Sequence, residues 1–91
     1  MTIVWTRHAE ERQRRWEVRI GITRREVEVL VEAPEQIVRG DEDAWIAQAR
    51  RGQGLLRAVF LEIDGGRKIL TLYWTSRVSR YWQEGKDAGH V

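Results

Sequence analysis

The chain contains no cysteine and a single proline, Pro34. Without cysteine, neither a disulfide framework nor a thiolate metal site can form, which fits a reducing compartment. No apolar run is long enough to span a bilayer. The opening segment, Met1 to Arg7, lacks the apolar stretch of a secretory signal. Internal repeats, low-complexity tracts and linkers are absent too. Together these absences set the expectation of a cytoplasmic protein that engages no membrane.

Lysine is also scarce. Lys68 and Lys86 are the only lysines among 16 basic residues, so the other 14 are arginines. Arginine is the better fork for phosphate and the better stacker on aromatic rings. A G+C-rich or thermophilic source explains the same bias without any ligand. Set against 14 acidic residues, the net charge is only +2. That is too little to steer a polyanion, so any nucleic-acid site depends on local clustering. The two histidines, His8 and His90, have no carboxylate or second histidine at metal-ligand spacing. No glycine-rich phosphate loop occurs, because Gly65-Gly66 reads as a hairpin turn. We expect neither a metal nor a cofactor.

What is present suits one small domain over residues 1–91. A chain of this size buries only roughly 60–65% of its unfolded surface, so its core needs large side chains. Five tryptophans supply them. Trp16, Trp45 and Trp74 are expected in the core. A composition of 42% hydrophobic and 33% charged residues is ordinarily globular.

The pattern along the chain reads as α+β. Thr2 to Thr6 is a short strand, and Thr6 then caps a helix from Arg7 to about Val18. Ala9, Arg12, Trp16 and Ile20 form its inward stripe, and Gly21 ends it as a left-handed cap. Thr23-Arg24-Arg25-Glu26 is a capping box for a second helix whose apolar face is Val27, Leu30 and Val31. Pro34 stops that helix. Beyond it the period becomes two: Gln36 to Arg39, Ala44 to Arg50, Leu55 to Ile63 and Lys68 to Thr75 are strands. Asp64-Gly65 marks the strongest hairpin turn. Leu55 to Ile63 is nearly continuous in hydrophobicity, as a central strand is. Leu70, Leu72 and Trp74 are expected to face the helices, and Thr71, Tyr73 and Thr75 the other side. The tail, residues 77–91, is expected to hold a short helix from Arg77 to Gln83 and then a flexible end. The overall expectation is two N-terminal helices packed on a mostly antiparallel sheet of about four strands.

Two polar groups carry chemistry. His8 and Arg12 are four apart on the first helix and therefore neighbours. Arg77, Arg80 and Tyr81 follow the last strand. If the first helix lies across the sheet near that strand, the groups converge. A histidine with several arginines and a tyrosine suits phosphodiester cleavage: His8 moves protons, arginine forks hold the phosphate, and aromatic rings stack a base. A plainer reading stands beside it. His8 in a first helical turn is then held by a backbone carbonyl or the strand edge, and Arg12 pairs inside the fold. Arg14-Arg15 and Arg24-Arg25 read as solvated helix faces.

The run Thr6-Arg7-His8-Ala9-Glu10-Glu11-Arg12, followed by Gly21-Ile22-Thr23 and Glu26-Val27, resembles a bacterial domain-of-unknown-function family. Its members open with T-x-H-A-x-x-R and continue with G-I-T/S-x-x-x-V. Pro34-Glu35, Leu56-Arg57-Ala58-Val59-Phe60 and Ile69-Leu70-Thr71-Leu72-Tyr73 extend the likeness, which spans about Thr6 to Tyr81. That family is similar to the BrnT toxins and, more remotely, to the RelE/ParE group. The resemblance implies a RelE/BrnT-like fold, a free or ribosome-dependent ribonuclease activity on RNA, and an antitoxin partner that covers the site. His8 and Arg12 carry the family's opening motif. Arg77, Arg80 and Tyr81 occupy the region where such toxins keep basic and aromatic residues, without a residue-by-residue motif. The stretch from Arg12 to Gly21 is about one turn longer than the family pattern. The related scaffold also hosts gyrase poisons. A different class of function, a non-catalytic binding module or a homodimer using Tyr73 and Trp45 on its sheet surface, stays open.

Overall fold

A computed structural model describes residues 1–84. Lys86 and His90, with the expected flexible end from Gly85 onward, lie outside the described residues.

Local signals place each element. Strand β1 (Thr2–Trp5) leads to Thr6, whose extended backbone and side chain cap helix α1 (Arg7–Ile20), accepting from the Ala9 N–H at 3.1 Å. Gly21 closes α1 with φ of 76°, the left-handed cap expected there. Helix α2 (Arg24–Glu32) begins at Thr23, which accepts from the Glu26 N–H at 3.1 Å. The return half of the capping box is not made. The Glu26 carboxylate instead accepts from Arg51 Nε at 3.0 Å, tying α2 to the sheet. The strands β2 (Gln36–Arg39), β3 (Trp45–Arg51), β4 (Gly54–Ile63) and β5 (Gly66–Thr75) follow, and helix α3 (Val78–Tyr81) ends the order. It is shorter than the expected Arg77 to Gln83.

The fold is α+β, with a mostly antiparallel sheet in the order β1-β5-β4-β3-β2. It has five strands rather than about four, because Thr2–Trp5 completes the edge beside β5 as a parallel partner. β4 is the central strand, as its continuous hydrophobicity requires. The β1 edge passes close to the β4–β5 hairpin. A Cβ on Gly66 would fall 1.9 Å from the Thr2 carbonyl oxygen, so only glycine fits there. Among the described residues, no helix is long and apolar enough to cross a membrane.

α1 and α2 cover one face of the sheet. Ala9, Ile22, Val27, Leu30 and Val31 meet Ala47, Leu56, Ala58, Phe60, Ile69 and Leu72 in one cluster. Trp16, Trp45 and Trp74 pack against it partly buried, not enclosed. Two expected inward residues are displaced. Arg12 is exposed, and Gln13 takes the inward place, donating to the Ile22 carbonyl at 2.9 Å. The inward stripe is thus Ala9, Gln13, Trp16 and Ile20, the expected one except for Gln13 in place of Arg12. Leu70 also leaves the helix side. Val59 pairs with Thr71 and Phe60 with Ile69, so a bulge skips Leu70 and turns it to the opposite face. Ile69 is buried in its stead.

Candidate functional site

The face turned away from the helices holds the polar residues. One row crosses four strands: Gln36 is paired with Gln48, Gln48 with Arg57, and Arg57 with Tyr73. Side chains directly opposite on one face touch, and here they bond in sequence. Arg57 Nε donates to Gln48 Oε1 at 2.8 Å, and Gln48 Nε2 donates to Gln36 Oε1 at 2.7 Å. Arg57 Nη1 donates to the Tyr73 hydroxyl. A guanidinium only donates, so Arg57 fixes which way the Gln48 amide points, and Gln48 does the same for Gln36.

The row also straps down the chain beyond α3. Gln48 Nε2 donates to the Tyr81 carbonyl at 3.1 Å, and Gln36 Nε2 to the Gln83 carbonyl at 2.8 Å. The Tyr81 ring lies over the Arg57 guanidinium at 4.1 Å, and Tyr73 meets Tyr81 edge to face at 6.4 Å. Trp82 is buried beneath Arg50, 4.4 Å from its guanidinium.

Arg57 is 5% exposed, and among the described residues it makes no ion pair. Enclosing a cation without a counter-charge is costly. Two oxygen acceptors and a ring face offset that cost here. Among the described residues Arg57 Nη2 has no bond, yet no enclosed side-chain nitrogen or oxygen lacks a partner. That end of the fork is therefore not fully enclosed.

His8 approaches the same face from the strand edge. Thr6 Oγ1 donates to the Ile69 carbonyl at 2.8 Å, which pins the start of α1 to β5. One turn on, His8 Nε2 lies 3.1 Å from Thr71 Oγ1, and Arg12 Nε donates to that nitrogen at 3.5 Å. Arginine cannot accept, so Nε2 is the acceptor of this second, longer contact. His8 is thus held by the strand edge, one of the two structural contacts expected, but it is exposed and not packed away.

Of the five expected site residues, four fall into two groups. His8 and Arg12 meet each other, and His8 touches Thr71. Arg80 and Tyr81 meet each other, with the Arg80 guanidinium 5.4 Å from the ring, and join Arg57 and Tyr73. Thr71 and Tyr73 link the groups, sharing one strand face about 7 Å apart. Arg77 stands outside both. It is exposed, and its bonds are made by its backbone: the N–H donates to Thr75 Oγ1 at 3.1 Å and the carbonyl accepts from the Arg80 N–H at 3.2 Å. Gln36, Gln48 and Arg57 are members of this candidate site that pattern reading passed over. The signal was a lone arginine in the apolar run Leu55 to Leu61, where a buried charge demands partners.

Beside Thr71 the face opens into a groove of about 510 Å³, floored by Ile46, Val59, Leu61 and Leu70. Asp41, Glu42 and Asp43 of the β2–β3 turn rim it. Among the described residues, no three His, Asp or Glu side chains are grouped as ligands for a metal ion.

No family model matches the chain, and no curated protein and no solved structure matches it.

Proposed function

We propose that this protein is a metal-independent ribonuclease of the small-toxin kind, working on RNA at the face between His8 and Arg57. The observation that carries the reading is the 3.1 Å contact of His8 Nε2 with Thr71. It sets an imidazole two residues along the strand from Tyr73, whose hydroxyl accepts from the enclosed Arg57. In this reading His8 takes the proton of the 2′-hydroxyl as its oxygen attacks the adjacent phosphorus. Arg57 and Arg12 hold the non-bridging oxygens and the charge that builds on them. Tyr73 gives its proton to the departing 5′-oxygen. The P–O5′ bond breaks, leaving a 2′,3′-cyclic phosphate and a 5′-hydroxyl. Arg80 and Tyr81 serve the neighbouring nucleotide, and Arg77 lies outside the reacting centre. The likeness of the opening motif to the BrnT- and RelE-related family supports the same reading. It brings with it RNA, free or on the ribosome, as substrate and an antitoxin protein as partner.

The test is cleavage of single-stranded RNA in EDTA with analysis of the new ends. Chain scission yielding cyclic phosphates is expected. Absence of scission on free and ribosome-bound RNA, or 3′-hydroxyl ends, would overturn the mechanism.

A second reading, a non-catalytic module that binds a protein or a second copy, is favoured by the groove over Ile46, Val59, Leu61 and Leu70. Continuous apolar surface of this kind on a sheet commonly meets another chain. Sedimentation distinguishes the two: a monomer that cuts RNA supports the first, and a stable dimer without activity the second.

A further inference from the structure

Helix α1 sorts its charges by face. At about 100° per residue, positions 8, 12, 15 and 19 fall within roughly 60° of arc. His8, Arg12, Arg15 and Arg19 therefore form one stripe, and all four are exposed. The acidic residues of α1 are engaged elsewhere. Glu10 pairs with Arg24 of α2 at 3.1 Å, Glu11 lies 3.8 Å from Arg7, and Glu17 accepts from Gln13 at 3.0 Å. Among the described residues, none of Arg12, Arg15 and Arg19 makes an ion pair. Three guanidiniums without carboxylates on one flank are a local cluster that the small net charge conceals.

This flank borders an open strand edge. β1 pairs with β5 only as far as Ile69, so among the described residues the edge from Leu70 to Thr75 carries no strand. α1 packs along β5 in the same direction, with His8 at Thr71 and Trp16, Arg19 and Ile20 beside Trp74, Thr75 and Ser76. The lengths agree. His8 to Arg19 covers about 16 Å of helix, and Thr71 to Ser76 about 16 Å of strand. The far end opens into a groove of about 410 Å³ between Trp16 and Trp74. There the Arg19 guanidinium stacks 5.3 Å from the Trp16 ring.

We propose that this trough binds single-stranded nucleic acid. Phosphates sit on Arg12, Arg15 and Arg19, an unpaired base stacks in the Trp16–Trp74 groove, and the strand runs toward His8. The inference deepens the ribonuclease reading and rests on it only for what happens at His8. A guanidinium stacked on an indole is a platform for a base, whereas an acidic peptide would use the arginines and leave the aromatic groove empty. A duplex has no free base to place there, so the trough selects single strands.

The experiment is fluorescence anisotropy with a short labelled oligonucleotide, 2′-O-methylated throughout so that it binds without being cut. Arg15→Glu/Arg19→Glu is expected to weaken binding by about 30-fold. It should also lower the slope of log affinity on log salt by roughly 1.4. Arg14→Glu/Arg25→Glu makes the same change of net charge off the stripe and is expected to cost less than threefold. Arg15→Gln/Arg19→Gln serves if the reversal unfolds the chain, with about a tenfold loss. Equal weakening by the control pair, equal affinity for the matching duplex, or equal competition by a polyglutamate peptide would each overturn the proposal. The two readings separate cleanly. Binding that depends on Arg15 and Arg19, without cleavage of unmodified RNA, refutes the ribonuclease and keeps the trough. Cleavage indifferent to both arginines refutes the trough alone.

Discussion

Arg57 and His8 flank the same two residues of β5, Tyr73 and Thr71, yet one is enclosed and the other exposed. Arg57 sits in the middle of the sheet with acceptors from two neighbouring strands and the Tyr81 ring above it. His8 reaches in from the helix side of the edge and touches one hydroxyl and, more distantly, Arg12. The difference separates two jobs that one polar side chain cannot do equally well. A group gripped by several protein partners is fixed in place and organises its neighbours. An exposed group with few protein contacts can change partners as a substrate arrives.

The sharpest way to break this contrast is to truncate Arg57. Arg57→Met leaves Gln48 Oε1 and the Tyr73 hydroxyl without their donor and removes the stacking under Tyr81. We expect a loss of about 3 kcal/mol, given two charged hydrogen bonds, read as a fall in Tm on the order of 15 °C. An unchanged Tm would show that the row is ornamental to the fold. Gln48→Leu should come next, at about 2 kcal/mol, since it strands Arg57 Nε and frees the Tyr81 carbonyl. In that variant hydrogen exchange should rise at residues 81–83 more than in α1. Thr23→Ala probes a site remote from both groups and should cost about 1 kcal/mol through loss of the α2 cap. At the other end of the scale, His8→Ala should move Tm by no more than about 3 °C. A larger fall would place His8 with Arg57 among the structural residues.

The parts legible in the sequence are those whose causes are local. Thr6, Gly21, Thr23 and Pro34 act on the backbone within a few residues of themselves, and Asp64-Gly65 closes a hairpin between adjacent strands. The features that were not legible depend on distant partners. Leu70 alternates correctly with Leu72 in sequence, but the bulge opposite Val59 and Phe60 is a property of strand pairing, and it reverses the side chain. Arg12 and Gln13 compete for one inward place, and only the seating of α1 on β5 decides between them. The second half of the capping box failed because Arg51, twenty-five residues on, offers Glu26 a better partner than its own helix end.

The candidate site divides the same way. His8 and Arg12 stand out because their spacing alone makes them neighbours. Arg57 is conspicuous too, as a charge inside an apolar strand, but its meaning needed Gln48, Tyr73 and Tyr81 from three other segments. Arg77 was grouped with Arg80 and Tyr81 by proximity in the chain. Its side chain does not join them, since Arg77 stands at the start of α3 while Tyr81 at its end folds back over the sheet.

The most direct measurement is the rate of RNA cleavage in EDTA by the wild-type chain and by His8→Ala, with the thermal melt of each recorded in the same buffer. The account predicts a fall of at least about 100-fold with the melt nearly unmoved. Cleavage retained in His8→Ala, or lost only together with a collapsed melt, would contradict it.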